Sequence, residues 1–243
     1  MTGPTGSGKT TTLYTALNTL NRAESKLFTV EDPIEYQLAG ISQIQVQPKI
    51  GLTFAHALRS ILRQDPDVIM VGEIRDLETA QMAIQASLTG HLVLSTVHTN
   101  SAAATVMRLA DMGVEDYLLA STLTGVLAQR LVRRLCTHCA APAPASPLLL
   151  EKLGGSRRDV GGLRRKVGCP ACRNTGYQGR TTISELLVMG DAIRERMLKS
   201  ATESAINAAA LEGGMVPMFD DGLAKALEGE TSIDEVLRVT RMG

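Results

Sequence analysis

The 243 residues suffice for one sizeable domain and a smaller second one, and Lys plus Arg equals Asp plus Glu at 25 each. That balance lacks the basic excess of proteins whose affinity comes from neutralising nucleic-acid phosphates, so no nucleic-acid partner is expected. Apolar residues reach 44% but aromatics only 3%, which leaves the core to Leu, Ile, Val, Ala and Met, and no apolar run is long enough to cross a bilayer.

With no signal peptide at its start either, the chain reads as cytoplasmic. Its opening fits G-x-x-x-x-G-K-[ST] at Gly3, Gly8, Lys9 and Thr10, with Gly6 adding backbone freedom. Glycines let successive N–H groups converge on phosphate oxygens at a helix N-terminus. Lys9 then neutralises the β and γ phosphates, and the Thr10 hydroxyl ligates Mg²⁺. Thr5, Ser7 and Thr11 complete the expected nucleotide-binding set. The bland alternative is a glycine-rich turn before a helix.

A helix is predicted over 9–21, with Leu13, Leu17 and Leu20 on one face. The strand LFTV (27–30) follows and ends at the acidic EDPIE (31–35), where Pro33 stiffens a turn carrying Glu31, Asp32 and Glu35. A solvated acidic turn and a catalytic one are both open on this pattern. Helical spacing resumes over 53–63 and stops before Asp65-Pro66; the strand VIMV (68–71) leads into Gly72-Glu73. Glu73 thus ends an apolar strand, where it reads as a Mg²⁺-binding acid or as an ordinary acidic cap before Arg75-Asp76.

Another helix covers 77–88, and the strand HLVLSTVH (91–98) rises from Gly90. Its flanking histidines, His91 and His98, lie seven residues apart, so alternation sends them to opposite faces and only one can face a given ligand. Helices are predicted over 102–112 and 116–131. Such alternation argues for an α/β fold, a mostly parallel sheet covered by helices, with ligands at the carboxyl ends of the strands.

After Arg134 the character changes. Cys136-x-x-Cys139 and Cys169-x-x-Cys172 bracket an Ala/Pro stretch (140–147) and a Gly/Arg stretch (154–166). Each CxxC turn can aim two sulfurs at one tetrahedral Zn²⁺, a structural ion because four thiolates leave no open position. The 29 residues between the pairs exceed the about 15–20 of compact ribbons and suggest a longer protruding finger. Disulfides and a redox CxxC are the competing readings. The tail 183–241 reads as helical, with a capping box at Ser232 and Glu235.

Taken in order and spacing, GPTGSGKT, EDPIE, DVIMVGEIRD and GHLVLSTVHT resemble the secretion-ATPase superfamily that drives type II secretion and type IV pili, over nearly the whole chain. The resemblance implies a P-loop NTPase (RecA-like) core over 1–134, a four-cysteine module over 135–180 and a small helical domain over 181–243. It implies that Glu73 is the Walker B acid, although Gly72 stands where many such motors have aspartate. It makes Glu35 the group that polarises the attacking water, and His91 and His98 the residues that sense or stabilise the nucleotide state. Arg59, Arg63, Arg75 and Arg130 are weaker candidates for interface or phosphate contacts.

Further expectations come with the family. They are ATP, Mg²⁺ and Zn²⁺ as ligands, a hexamer, inner-membrane platform partners with peripheral membrane association, and a motor that assembles a pseudopilus for export across the outer membrane. A type IV pilus extension ATPase shares every motif, a non-hydrolysing nucleotide-binding and zinc-bearing module is a further alternative, and a nucleic-acid translocase is a third that neutral charge disfavours. Family members place a strand, and a separate domain, ahead of the glycine loop. The chain therefore reads as a C-terminal motor domain lacking its first strand, expected to bind nucleotide weakly and hydrolyse it poorly by itself.

Overall fold

The computed structural model describes residues 1–145, 161–200 and 202–240. Contacts gather the chain into two units: Met1–Ala128 with Leu186–Met215, and Gln129–Glu185 with Val216–Gly243. Each unit is therefore assembled from two separate stretches. The helices of 191–212 group with the first unit and those of 218–240 with the cysteine-bearing second, a different division from cuts at 134 and 180.

The first unit is the α/β part. Its elements are α1 (Lys9–Leu20), β1 (Leu27–Glu31), β2 (Ser42–Gln45), α2 (Phe54–Ile61), β3 (Val68–Val71), α3 (Leu77–Leu88), β4 (Leu92–Ser95), α4 (Ala102–Asp111) and α5 (Asp116–Thr122). The strands form one parallel sheet in the order β2-β1-β3-β4, with Leu27 beside Val68 and Val68 beside Leu92. β3 is buried along its whole length and β1 nearly so, as strands covered on both faces require; β2 is polar and lies at an edge. Leu13, Tyr14 and Leu17 of α1 pack with Leu27, Leu38, Val68 and Met70.

Side-chain caps fix where the helices start. Thr53 accepts from His56 N, Asp76 from Thr79 N and Ser101 from Ala104 N. At the other side of the sheet Thr2 forms parallel bridges to both Val97 and Ala128: its N–H donates to Leu127 O (2.8 Å), and Val97 N–H donates to Met1 O (3.0 Å). The residues leading into the glycine loop are thus held as a strand would be.

Two predicted helical stretches turn into strand. Leu119, Leu123, Leu127 and Leu131 have helical spacing, but the helix ends at Thr122 and β5 runs from Gly125 to Leu135, burying Val126, Ala128, Arg130 and Val132 in alternation. Both periods are written there, and Gly125 decides between them: a Cβ on it would lie 2.9 Å from Leu187 O, so glycine admits the close approach of the partner strand. That partner, β8 (Tyr177–Val188), takes in Ile183–Val188, where helix was expected, and buries Ile183 and Leu187.

In the second unit β6 (Ala141–Pro142) pairs antiparallel with β7 (Arg164–Arg165), beside α8 (Met218–Leu227) and α9 (Ile233–Thr240). Leu163, Leu223, Ala226 and Val236 form its apolar centre. The remaining helices, α6 (Asp191–Ser200) and α7 (Glu203–Glu212), belong to the first unit. The Ala/Pro and Gly/Arg stretches, and with them the expected long finger, lie partly outside the described residues. Among the described residues no helix is long and apolar enough to cross a membrane.

Candidate functional site

The glycine loop curls because Gly6 (φ 78°) and Gly8 (φ 85°) take left-handed backbone that side chains rarely adopt. α1 starts at the next residue with glycine as its cap, so its first N–H groups are offered by bare backbone, an arrangement suited to an anion. Lys9 is only 9% exposed; its Nζ donates to Gly3 O (2.7 Å) and Pro4 O (3.2 Å), leaving one of three N–H groups to serve a ligand. Burial lowers its pKa, against which the nearby Glu73 carboxylate pulls it up. A buried ammonium of this kind gains from any further negative charge brought beside it.

The loop forms one wall of a cleft of roughly 520 Å³ at the carboxyl ends of β1, β3 and β4, the place an open parallel sheet reserves for ligands. Thr5 through Thr11 line this wall, and Glu35, Glu73 and His98 face them. Glu73 is 8% exposed and meets Arg75 Nη2 at 2.5 Å and His98 Nε2 at 3.4 Å. The turn carrying it is pinned, since Thr96 Oγ1 donates to Gly72 O (2.6 Å) and Ile74 N–H to Thr96 O (2.9 Å). Gly72 itself has a steric reason: a Cβ there would stand 3.1 Å from Val30 O and 3.4 Å from Glu31 Cα, so the aspartate of related motors would press on β1.

The acidic turn is divided by burial. Glu31, Asp32 and Glu35 all line the cleft, but Asp32 and Glu35 are exposed, whereas Glu31 is 3% exposed and accepts from Tyr14 Oη, Thr29 Oγ1 (2.5 Å) and Gln43 Nε2 (3.0 Å). Burial and the bond to Glu31 push the Tyr14 hydroxyl well above its ordinary range, which keeps it the donor. The histidines part in the same way. His98 reaches the cleft; His91 lies just before β4, which spans only Leu92–Ser95 of the expected 91–98, and its Nδ1 meets Ala86 O (2.9 Å) and Thr89 Oγ1 (3.0 Å) at the end of α3, outside the cleft lining. Of the weaker arginine candidates only Arg75 lines the cleft. Arg59 pairs with Glu78, Arg63 donates to Arg59 O, and Arg130 is buried and donates to Val239 O.

In the second unit the four predicted cysteines come together. Their sulfurs all lie within 4.8 Å of one another, with Cys136–Cys169 and Cys139–Cys172 at 3.9 Å and Cys169–Cys172 at 3.8 Å. A tetrahedron of thiolates about 2.3 Å from a central zinc has edges of about 3.8 Å, so the donor set fits that ion in identity, number and spacing. The separations are far too long for disulfides, and all four cysteines are free. Backbone N–H groups of Gly168, Cys169 and Gly176 donate to the sulfurs of Cys139 and Cys172. Burial pushes the Cys139 thiol up to about 11; at Cys172 the same effect is outweighed by the N–H groups of Cys169 and Gly176, giving about 6.

A model of the family described as "Type II/IV secretion system protein" matches residues 1–238. The chain belongs to this family. It is 58% identical over 242 residues to type II secretion system protein E of Xanthomonas campestris pv. campestris, a match covering 99% of this chain and 43% of that protein. It is 53% identical over 241 residues to type II secretion system ATPase E of Vibrio cholerae, covering 99% and 48%. The chain thus spans about half the length of the curated relatives it matches. Among solved structures it resembles the pilus retraction motor PilT with bound ADP (TM-score 0.72, 29% identity, 98% of this chain and 59% of that one). It also resembles the ATPase DotB of Legionella pneumophila (TM-score 0.70, 25% identity, 100% and 57%).

For this secretion-family chain, motif reading found the glycine loop, Glu35, Glu73 and His98, which line one cleft, and the cysteine quartet. It missed Tyr14 and Gln43, which hold Glu31, and Tyr36 and Phe54, which add the cleft's aromatic lining. Tyr14 did carry a signal, a phenol among the leucines of an apolar helical face, because a buried tyrosine oxygen requires a partner.

Proposed function

We propose that this chain is the ATP-hydrolysing part of a motor that powers pseudopilus assembly in type II protein secretion. The observation that carries the reading is the buried Lys9 ammonium facing the buried Glu73 carboxylate across a cleft floored by a glycine loop at a helix N-terminus. In this reading the loop N–H groups and Lys9 bind the β and γ phosphates. Thr10 and Glu73 would hold Mg²⁺, which when bound neutralises charge on the phosphate oxygens. Glu35, exposed at the cleft, orients the attacking water, and His98 beside Glu73 responds to the state of the γ-phosphate. His91, away from the cleft, would act in nucleotide sensing only through the end of α3.

Identities of 58% and 53% to type II secretion proteins, against 29% to the pilus retraction motor, favour a secretion motor over a retraction motor. With that reading come a cytoplasmic homo-oligomer, a hexamer by family analogy, docked on inner-membrane platform proteins, and a structural Zn²⁺ held by Cys136, Cys139, Cys169 and Cys172. The decisive experiment is phosphate release by the Lys9→Ala variant. We expect a loss of about 100-fold or more with an unchanged thermal midpoint, as removal of a group that stabilises transition-state charge produces. Turnover equal to that of the unsubstituted protein would sink the assignment.

A further inference from the structure

Glu31 presents a physical problem that phosphate chemistry leaves unsolved. A carboxylate 3% exposed, with no ion-pair partner among the described residues, is costly to bury, and an apolar side chain would fill the space without that cost. Its surroundings show what it does there. Tyr14, fully buried on α1 one helical turn beyond Thr10, donates to Glu31 Oε2. The other oxygen takes Thr29 Oγ1 and Gln43 Nε2.

From Gln43 the network continues into the acidic turn. Gln43 Nε2 also donates to Tyr36 O (3.3 Å), Leu38 N–H donates to Gln43 Oε1 (2.7 Å), and Ile34 N–H donates to Gln45 Oε1 (3.4 Å). The Tyr36 ring meets the Tyr14 ring edge to face at 4.6 Å between centroids. Residues 32–38, which carry Glu35, are therefore tied at three backbone positions to β2 and, through Glu31, to the helix that grows out of the phosphate loop.

We propose that Tyr14 and Glu31 are positioning residues: as a buried pair they brace the 32–38 turn against α1 and so set the distance from Glu35 to whatever the phosphate loop holds. Tyr14 lies outside the cleft lining, and Glu31, which reaches it, has both carboxylate oxygens engaged by Tyr14, Thr29 and Gln43. The inference rests on the ATPase reading only for its kinetic consequence; the brace itself is a property of the fold. Misplacing a water-orienting carboxylate by about 1 Å is enough to cost on the order of 100-fold in rate while leaving phosphate contacts alone.

Four variants, Tyr14→Phe, Glu31→Ala, Glu31→Gln and Glu35→Gln, test this by amide hydrogen exchange and by steady-state ATP hydrolysis. Tyr14→Phe keeps the ring contact and removes only the hydroxyl. It should speed exchange at Ile34 and Leu38 by about 10-fold with residues 42–45 unchanged, lower the thermal midpoint by a few degrees because Glu31 loses a buried donor, and lower kcat by about 10- to 100-fold at a KM within about 2-fold of the parent. Glu31→Ala should do more of the same. Glu31→Gln, whose amide can still accept from Thr29 and Gln43 and donate to the Tyr14 oxygen, should recover most of what Glu31→Ala loses.

Unchanged exchange over 32–38 in Tyr14→Phe would overturn the brace. So would a fall of kcat matched by an equal fall of nucleotide affinity. A Glu31→Gln variant as inactive as Glu35→Gln would mean that Glu31 itself reacts, and would overturn the positioning role. A parent protein that binds nucleotide and releases no phosphate would sink the ATPase reading alone, because the exchange comparison decides the brace without it.

Discussion

Glu235 shows how much a single side chain can be made to carry. It is 1% exposed and takes Arg133 through Nε (3.0 Å) and Nη2 (2.8 Å) and Arg238 through Nε (2.9 Å) and Nη2 (2.7 Å), while Arg133 also lies 4.2 Å over the Tyr177 ring. Burial alone would raise its pKa, but the bonds from Arg238 and Arg133 outweigh it and hold the carboxyl at about 2. A group whose folded pKa lies below its unfolded one, near 4.5, stabilises the fold above that pH and stops doing so as the pH falls toward 2. Denaturant unfolding across pH 2–5 should therefore show a loss of stability on acidification that Glu235→Gln lacks. Parallel pH profiles for the two proteins would contradict the assignment.

The same residue marks the limit of local reading. A Ser-x-x-Glu pattern predicts a reciprocal cap, and half of it forms, Glu235 N–H donating to Ser232 Oγ at 3.3 Å. The carboxylate goes instead to arginines, one of them over a hundred positions earlier in the chain. The glycine loop around Lys9 and Thr10 was legible because its curl is set by Gly6 and Gly8, a few positions away. The separation of Glu31 from Asp32 and Glu35 was not, since it depends on Tyr14 and Gln43, which no spacing rule connects to them.

Elements with a single period were read with nearly correct limits: α3 and β3 lie where the pattern put them, over 77–88 and 68–71. Where two periods overlapped, as in 116–131, a contact with a distant strand chose the outcome, and that contact is written in no local window. Close approach also governs α8. Gly222 is buried in its middle, and a Cβ there would lie 2.6 Å from Val236 Cγ1 of α9 and 3.5 Å from Ile183 Cγ2. Val236 is fully buried and stiff at χ1, so it cannot step aside. Gly222→Ala should accordingly destabilise by about 1–2 kcal/mol, overpacking of about 1–3 kcal/mol being only partly offset by the roughly 1 kcal/mol gain in helix propensity. Urea unfolding measures it; a stabilised variant would mean that the two helices can separate at little cost.

At the scale of the whole molecule the two units rest on different physics. The first has a parallel sheet whose central strands, β1 and β3, are buried. The second has an apolar centre of Leu163, Leu223, Ala226 and Val236 and four thiols within 4.8 Å of one another. A bound metal would be folding free energy for such a unit, because the unfolded chain offers no preformed site. We expect metal analysis to return one zinc per chain, and chelation or Cys172→Ser to render 129–185 sensitive to protease while 1–128 stays resistant. Equal resistance with and without metal would show that the cysteines pack adequately as thiols.

Both units are also interleaved along the chain, the first needing residues 186–215 and the second needing residues 216–243. During synthesis the phosphate loop and most of its sheet leave the ribosome well before the helices α6 and α7 that complete their unit. At translation rates of about 5–20 residues per second that delay is roughly 4–17 s, long compared with helix and hairpin formation. For that interval the nascent first unit exposes the apolar surface that α6 and α7 will cover, so the order of the segments makes the time between them a period of exposure to aggregation and to chaperones.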